Sequence, residues 1–434
     1  MVKKQTATKT TSAKPKKTPA KPKKAPVKKP DDKAFVYNLI SSIVEQCPRR
    51  QPTSPDEKRA QLMMQEEFRK LKLPTSWHEF TFNDNLYKNI ALHFGLATLG
   101  TVVSGLAPAA GLALHGLAAG SYTAESTRKG YFLRRVFPFK PSQNLMATMA
   151  APSGNPKLRI VMMAHADAAF TGLLFSEEFV KNFSKEPPKA LSFIKRSMEV
   201  TTKSVGGFVG FDALRMAFGP LTWPLRPLEY LMTLPSFIAF VLNMEIVLRN
   251  EIVPGANDDL SGVASLPVLA RRLKDSQPDD VEYVFAVTGC EEASLGGADA
   301  LARDMEGVWD KENTVILGLD GLTNGDLVFL NPEGEIIPTP VPGWLCDAVD
   351  TVARSEKRFE HVKAFEIPVG GSDVAAFLVR DYEGLCLATI DPEIGAPKHY
   401  HQPGDTPENL DMDTLMESID FAEALVKEIQ RKRG

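Results

Sequence analysis

The chain of 434 residues lacks several features that would point to a protein class directly. Its four cysteines, Cys47, Cys290, Cys346 and Cys386, are scattered and show no CxxC spacing, which argues against a disulfide framework. No apolar segment of the signal-peptide type lies near the N-terminus, so secretion is not expected. We therefore expect the reducing environment of the cytoplasm, with peripheral contact to a membrane left open.

Residues 1–33 have no hydrophobic periodicity, and their only acidic residues are Asp31 and Asp32. The segment consists largely of Lys, Pro, Ala and Thr, so we expect a disordered basic tail that cannot bury a core. Such a tail could contact an anionic membrane surface or only keep the chain in solution. Nucleic acid is not favoured as a partner, because no nucleic-acid-binding motif accompanies the tail. Residues 34–434 are predicted to form the folded domain.

Charged residues are absent from residues 89–124, within a first apolar insertion at about 89–130. Pro108 predicts that this stretch forms two helical limbs. A second apolar insertion fills about 169–252. Three roles stay open for the insertions: a lid or a dimerisation surface of a homo-oligomer, a re-entrant or interfacial membrane segment, and a transmembrane hairpin. The hairpin is least favoured, because residues 89–124 span about 54 Å as a helix and two crossings need about 60 Å.

The pattern of the remaining sequence indicates an α/β fold. Two strand-like runs lie at 144–150 and 158–164, and strands alternate with helices from Val253 onward. We predict a three-layer sandwich with a central mixed, mostly parallel sheet flanked by helices, plus apolar helical insertions. Near the N-terminus, Ser54 and Glu57 have the spacing of a helix capping box.

Side chains of metal-ligand type occur in five segments at strand ends or in adjoining loops, where ligands of open α/β sheets bind. They are H-A-D at 165–167, G-A-N-D-D-L-S-G at 255–262, Glu291-Glu292 after the strand-like run 284–287, Asp320 after the run 314–319, and H-Y-H-Q-P-G-D-T at 399–406. Each segment alone has an ordinary explanation, such as an acidic helix start or a surface histidine. Adjacent carboxylates at a strand end repel each other, however, and a metal ion would relieve that repulsion.

In this order, the five segments resemble the co-catalytic dizinc aminopeptidase family, which also includes glutamate carboxypeptidases and glutaminyl cyclases. The resemblance covers about residues 143–168 and 253–430. It implies a zinc-dependent exopeptidase, foremost an aminopeptidase, that hydrolyses peptides or small amino-acid conjugates with a water shared by two zinc ions. The alternatives are a glutaminyl cyclase-like acyl transferase and a noncatalytic membrane-associated homologue.

The resemblance also implies the metal ligands. Asp258 would bridge the two zinc ions, with a cis peptide after it. His165 and Asp320 would complete the ligands of one zinc, and Glu292 and His401 would complete those of the other.

Two further residues receive roles from the same resemblance. Glu291 would bind no metal and would act as the general base. Asp167 would orient the imidazole of His165. In the last segment, His401 is preferred to His399 because it follows an aromatic residue and stands four residues before an Asp-Thr pair.

The sequence departs from the family pattern in two places. The whole second insertion separates His165 from Asp258, where the family has a short loop, and this leaves the substrate class open because such loops lie near the mouth of the site. Residues 371–373, Gly-Ser-Asp, resemble a further family segment, but the His that often follows is Val374 here. Cys290, next to the predicted base, is interpreted as a small buried hydrophobic residue.

Overall fold

A computed structural model describes most of the chain. The described residues are 1, 31–183, 197–334, 336–367 and 370–433. The predicted basic tail lies outside this part of the chain except at its two ends, so its disorder stays a prediction. Asp32 and Lys33, the last two residues assigned to the tail, already belong to the first helix. Residues 32–434 form one compact unit.

A mixed sheet of eight strands is the centre of the fold. The strands are β1 (Thr75–Phe82), β2 (Lys140–Met149), β3 (Leu158–His165), β4 (Val281–Thr288), β5 (Thr314–Leu319), β6 (Asp326–Leu330), β7 (Lys363–Phe365) and β8 (Glu383–Ile390). Their order across the sheet is β1-β2-β4-β3-β5-β8-β6-β7. Four of the seven strand pairs are parallel, and the parallel strands β4, β3, β5 and β8 lie side by side.

Helices cover the sheet and form the insertions. They are α1 (Asp32–Gln46), α2 (Pro55–Lys70), α3 (Leu86–Ser104), α4 (Pro108–Ser126), α5 (Glu177–Phe183), α6 (Ser197–Phe218), α7 (Arg226–Arg249), α8 (Leu260–Lys274), α9 (Gly296–Asp304), α10 (Gly343–Ala353), α11 (Asp373–Leu378) and α12 (Met412–Arg433). Strands and helices alternate after α7, as the hydrophobic pattern predicted, except that β6 follows β5 without a helix between them.

Hydrophobic residues on both faces of the sheet are buried. Along β3, Ile160 and Met162 belong to one core cluster, and Val161 and Met163 belong to another. The first cluster includes residues of α1, α2, α8, α10 and α12, whereas the second includes residues of α9 and α11. Successive residues of a strand point to opposite faces, so this alternation shows helices on both sides of the sheet. The predicted three-layer α/β sandwich is confirmed.

The two apolar insertions are helical and pack together. Helix α3 packs against α4 and α7, while α6 packs against α4 and also contacts α7. We refer to α3, α4, α6 and α7, with the 3-10 segment Gly219–Leu225 that joins the last two, as the helical bundle. The two limbs predicted around Pro108 are present, since α3 ends at Ser104 and α4 begins at Pro108.

The helices of the first insertion extend slightly beyond its uncharged stretch. The uncharged residues are 89–124, whereas the two helices together run from Leu86 to Ser126. Each has 19 residues, which corresponds to about 29 Å at 1.5 Å per residue. Polar or charged side chains at the helix ends, such as Lys88 and Glu125, lengthen the helices without adding to the apolar run.

Candidate metal centre

The parallel strands bring four of the predicted residues to one edge of the sheet. His165 is the last residue of β3, Asp320 directly follows β5, and Glu291 and Glu292 follow β4 by three and four residues. Because β3 pairs in parallel with both β4 and β5, the carboxyl ends of these strands lie at the same edge. This topology positions a histidine and three carboxylates without any contribution from the insertions.

Asp258 lies between two histidines. Its Oδ1 is 3.1 Å from His165 Nε2, and its Oδ2 is 3.3 Å from His401 Nε2. The two carboxylate oxygens therefore face two different imidazoles, which come from β3 and from the loop before α12. The peptide between Asp258 and Asp259 is cis, as the resemblance implied.

The other predicted ligands surround these two histidines. Asp320 Oδ1 lies 4.0 Å from His165 Nε2, and Glu292 Oε1 lies 3.4 Å from His401 Nε2. Glu291 Oε2 is 3.9 Å from His165 Nε2. All five predicted ligands and the predicted base thus lie in one cluster, although they come from five separate segments.

Asp259 is the one residue that competes with Asp258 for the bridging position. By distance alone, a ligand set of His165, Asp259 and Asp320 is as compact as one that includes Asp258. The Asp259 carboxylate, however, accepts hydrogen bonds from the backbone N–H groups of His165, Gly262 and Gly321. Because both of its oxygens already accept backbone hydrogen bonds, Asp259 holds the loops, and Asp258 is the better candidate for a shared ligand.

Asp167 contacts His165 and also the segment that carries Glu291 and Glu292. Its backbone oxygen lies 3.1 Å from His165 Nδ1, closer than its carboxylate, which is 3.6 Å away. The carboxylate instead accepts the backbone N–H groups of Glu291 (3.1 Å) and Glu292 (2.9 Å). Asp167 was predicted only to orient His165, and the structure shows that it also fixes the start of the glutamate loop.

Three buried residues that the sequence analysis did not assign to the site hold its loops. Arg50 is fully buried and donates hydrogen bonds to the carbonyl oxygens of Ala166 and Pro254, joining the two loops that carry His165 and Asp258. Asp405 accepts the backbone N–H groups of Asn257 (2.7 Å) and Asp258 (3.1 Å).

Glu57 is the third of these residues. Ser54 caps α2 as predicted and accepts the Glu57 N–H, but the Glu57 carboxylate accepts the N–H groups of Thr53 and Cys290 rather than that of Ser54. The side chain expected to complete a capping box therefore anchors the loop that carries the two glutamates. Cys290 itself is fully buried, as predicted.

Comparisons with known proteins agree with this arrangement. Residues 239–426 match the sequence profile of peptidase family M28. This part of the chain is therefore similar to peptidase family M28. The matched range contains every predicted metal ligand except His165. No curated protein sequence matches the chain significantly.

Solved structures share the fold at low sequence identity. A zinc aminopeptidase from Bacillus subtilis has a TM-score of 0.55 at 15% identity, covering 92% of this chain and 96% of that one. A glutaminyl cyclase from an Acidobacteriales bacterium has a TM-score of 0.51 at 15% identity, with 96% and 99% covered. An aminopeptidase from Aneurinibacillus sp. strain AM-1 has a TM-score of 0.52 at 14% identity, with 91% and 93% covered. The resemblance found from the sequence is confirmed.

The carboxylates of the M28 site are buried close together. Burial raises the pKa of Asp320 to about 7, and the charge of Asp258 adds to this effect. Burial also raises the pKa of Glu292 and of Glu291 well above the ordinary value for a glutamate, and each of the two also has a nearby carboxylate that raises it further. Protons or cations must therefore neutralise the cluster.

The donor set fits a metal ion, and zinc in particular. Among the described residues, Glu292 Oε1 is buried and accepts no hydrogen bond of good geometry, although His401 Nε2 lies 3.4 Å away. A buried carboxylate oxygen that accepts no hydrogen bond needs another partner, and a metal ion can be that partner. Imidazole nitrogens combined with carboxylate oxygens are ligands that zinc accepts in catalytic sites.

Close packing at Gly262 gives a prediction on how the loops are held. A Cβ atom at this position would lie 2.1 Å from the Leu319 carbonyl oxygen and 2.5 Å from Asp259 Oδ1. We expect Gly262→Ala to lower the free energy of unfolding by about 1–3 kcal/mol, because backbone atoms next to Asp320 must move. Gly343→Ala is the control, since nothing lies within 4 Å of its Cβ position. Thermal denaturation of both variants measures the effect, and equal stability of the two would contradict it.

Proposed function

We propose that this chain is a zinc-dependent exopeptidase, foremost an aminopeptidase, with two zinc ions in its site. The observation that carries the proposal is the position of Asp258, whose two carboxylate oxygens face His165 and His401 separately. A carboxylate between two imidazoles from different segments has the arrangement expected of a ligand shared by two cations. The fold of peptidase family M28 supports the same conclusion.

The ligands divide into two sets that share Asp258. His165 and Asp320 would complete one set, and Glu292 and His401 would complete the other. Each set has three protein ligands, which leaves a position for water or substrate as catalytic zinc sites do. When bound, the zinc ions supply Lewis acidity, and they lower the pKa of water from about 15.7 towards neutrality.

Glu291 is the residue that we propose as general base. Its Oε2 lies 3.9 Å from His165 Nε2, beside the ligand set but not between the two histidines. Asp167 holds its backbone N–H, so the side chain projects from a fixed point of the loop. Burial and the charge of Glu292 raise the pKa of Glu291, which strengthens it as a proton acceptor and lets it later donate that proton to a leaving amine.

The charged side chains of the site bear on which end of a substrate is bound. Four carboxylates of the site make ion pairs with His165 or His401, and no Lys or Arg takes part in the ion pairs that the structure shows for these four. They are Asp258, Glu291, Glu292 and Asp320. Two zinc ions would balance these four negative charges, and the lack of a Lys or Arg in these ion pairs leaves the terminal carboxylate of a substrate without a cationic side chain among them. We therefore rank aminopeptidase activity above carboxypeptidase activity.

Glutaminyl cyclase activity is the second candidate, because solved glutaminyl cyclases share the fold. The two reactions differ in metal requirement, since the cyclase reaction is usually associated with one zinc. The two ligand sets around Asp258 favour the hydrolase. A noncatalytic homologue is disfavoured because all predicted ligands and the predicted base lie in one cluster.

A metal-reconstituted activity screen tests the proposal. The purified chain is stripped with a chelator, reloaded with zinc, manganese or cobalt, and assayed on aminoacyl, carboxy-terminal and glutaminyl substrates. We expect two metal ions per chain and hydrolysis of aminoacyl substrates. One metal ion with cyclisation of glutaminyl peptides would support the second candidate, and two bound metals with no turnover of any substrate would contradict an exopeptidase.

A further inference from the structure

The helical bundle exposes an unusual amount of apolar surface. Among the described residues, 18 of the 27 exposed large hydrophobic side chains lie on α3, α4, α6, α7 and the two segments that join α3 to α4 and α6 to α7. Leu106, Leu221 and Trp223, at the turns between the paired helices, are 95%, 80% and 64% exposed. Only 22% of the most apolar window within Thr202–Arg249 is buried. Soluble monomers rarely expose apolar patches of this extent.

The interior of the bundle holds a network of buried polar side chains beside apolar ones such as Val205 and Phe208. His115 Nδ1 lies 2.6 Å from Asp212 Oδ2, and Ser104 donates to the same carboxylate. Arg215 donates to Ser104 and to Glu229, so a chain of buried polar groups joins α3, α4, α6 and α7. Each of these five side chains is almost fully buried.

Apolar residues face inward in a water-soluble bundle too, but its charged residues face the solvent, whereas here Asp212, Arg215 and Glu229 are buried and the exposed surface is apolar. Charged and polar side chains that pair inside a bundle with an apolar exterior are typical of helices in lipid. Exposed apolar residues occur on all four helices, for example Val102 on α3, Leu117 on α4, Met216 on α6 and Leu231 on α7. A single protein partner covers one face, whereas a bilayer covers every side.

The dimensions of the bundle fit a bilayer. Its helices have 19, 19, 22 and 24 residues, which corresponds to about 29–36 Å, and the hydrocarbon core of a bilayer is about 30 Å thick. We refer to the sheet and the helices that cover it as the catalytic domain. Both pairs of bundle helices begin and end there, because α3 and α4 lie between β1 and β2, and α6 and α7 lie between β3 and α8. The catalytic domain therefore stays on one side of the bilayer.

Exposed or partly exposed charged residues of the second helix pair lie at its two ends. Arg226, which pairs with Glu229, lies at the end far from the catalytic domain, and the others lie towards that domain. Lys203 is in the second turn of α6, and Glu245 and Arg249 are in the last turns of α7. Further from the catalytic domain, Asp212, Arg215 and Glu229 point inward and are buried. This arrangement places a polar boundary where lipid headgroups would meet the base of the bundle.

We propose that α3, α4, α6 and α7 are embedded in a lipid bilayer and anchor the catalytic domain at its surface. The metal-ligand cluster then lies next to the headgroups, because the Tyr87 hydroxyl in the first turn of α3 is 3.5 Å from His401 Nδ1. The Lys-rich residues 1–33 would add attraction to anionic lipid. The proposal rests on the bundle alone and does not depend on the peptidase reaction.

Membrane partition of the full chain tests the proposal. We expect the protein to remain in the membrane pellet after a carbonate wash at high pH and to need detergent for release. Reconstituted into vesicles of phosphatidylcholine and phosphatidylglycerol, it should float with the lipid. A chain that is soluble and monodisperse without detergent overturns the proposal, whether it is a monomer or a dimer whose second copy covers the apolar surface.

Two variants make the test specific to the bundle. Leu231→Arg places a charge on the exposed face of α7, and we expect it to lower the membrane-retained fraction at least several-fold. Leu62→Arg is the matched control, because Leu62 is a 44% exposed leucine on α2 of the catalytic domain. Equal retention of both variants and the unchanged protein would overturn the assignment of this face to lipid.

Trp223 provides a readout that does not depend on how a charged variant folds. Brominated phosphatidylcholine quenches tryptophan fluorescence only at close range. We expect it to quench the unchanged protein more than Trp223→Phe, whose remaining tryptophans, Trp77, Trp309 and Trp344, lie in the catalytic domain. Equal quenching of the two proteins would show that the far end of the bundle does not contact lipid, and would overturn the proposal.

Discussion

Replacing Glu291 with alanine is expected to lower kcat by about 10²–10⁴-fold while both metal ions stay bound, because general bases contribute rate enhancements of that size. Glu291 lies 3.9 Å from His165 but belongs to neither proposed ligand set. Metal analysis and steady-state kinetics on the best aminoacyl substrate measure the effect. Glu291→Gln, which keeps the shape of the side chain, should show a similar loss.

Two outcomes would contradict this role of Glu291. Full activity of Glu291→Ala would show that another group accepts the proton. Loss of metal together with activity would instead make Glu291 a ligand. Glu45→Ala, which changes an exposed glutamate on α1, is the control and should leave both readouts unchanged.

Removing the metal is expected to make the stability of the catalytic domain fall as pH rises from about 5 to about 8. Burial raises the pKa of Asp320 and of Asp405 to about 7 and that of Glu57 to about 8. Between the unfolded and folded pKa values of these groups, the folded chain binds more protons than the unfolded chain, so raising the pH favours unfolding. A shift of one pKa unit corresponds to about 1.4 kcal/mol, and several such groups together make a large effect.

His165 and Asp258, at the centre of the site, do not reverse this fall in stability with rising pH. Burial alone would lower the pKa of His165, but hydrogen bonds to Asp167 and Asp258 raise it well above its ordinary value, so its contribution is also lost as pH rises. The pKa of Asp258 is lowered in spite of burial by its hydrogen bonds to His165 and His401, so its contribution is lost only in strong acid.

Metal binding should remove this pH dependence, because a cation replaces the protons on the ligand carboxylates. Melting temperatures of the chelator-treated and zinc-loaded protein, measured at pH 5, 6.5 and 8, test this. We expect the stabilisation by zinc to be largest at pH 8. A chelated protein that becomes more stable between pH 5 and pH 8 would contradict the assigned pKa shifts.

Much of the candidate site could be predicted from the sequence, because ligand residues lie directly after apolar strands. His165, Glu292 and Asp320 follow β3, β4 and β5, and a parallel sheet brings such positions to one edge whatever the intervening chain does. The order of the five segments along the chain also indicated the resemblance to a peptidase family. The second insertion did not disturb this prediction, because it leaves and re-enters the domain between β3 and α8.

The residues that hold the site could not be predicted from the sequence. Arg50 is 116 residues from its acceptor Ala166. Glu57 lies 233 residues from Cys290, whose backbone N–H it accepts. The sequence around Glu57 explains this residue as part of the cap of α2, and nothing in that sequence indicates its contact with the loop that carries Cys290. Likewise, Asp258 and Asp259 are alike in sequence, and only the backbone donors around Asp259 distinguish them.

The sequence by itself therefore determined the three-layer α/β class, the helical insertions and the residues of the candidate metal site, because periodicity and strand ends are local properties. Only the tertiary structure decided which carboxylates face the two histidines and which ones hold loops, since that depends on donors distant in the chain. It alone also decided that the bundle has charged groups buried inside and an apolar exterior. Residues 89–124 are apolar nearly throughout, so their sequence does not say which side of each helix faces outward. That side is fixed by Asp212, Arg215 and Glu229, which come from the other insertion and pair inside the bundle.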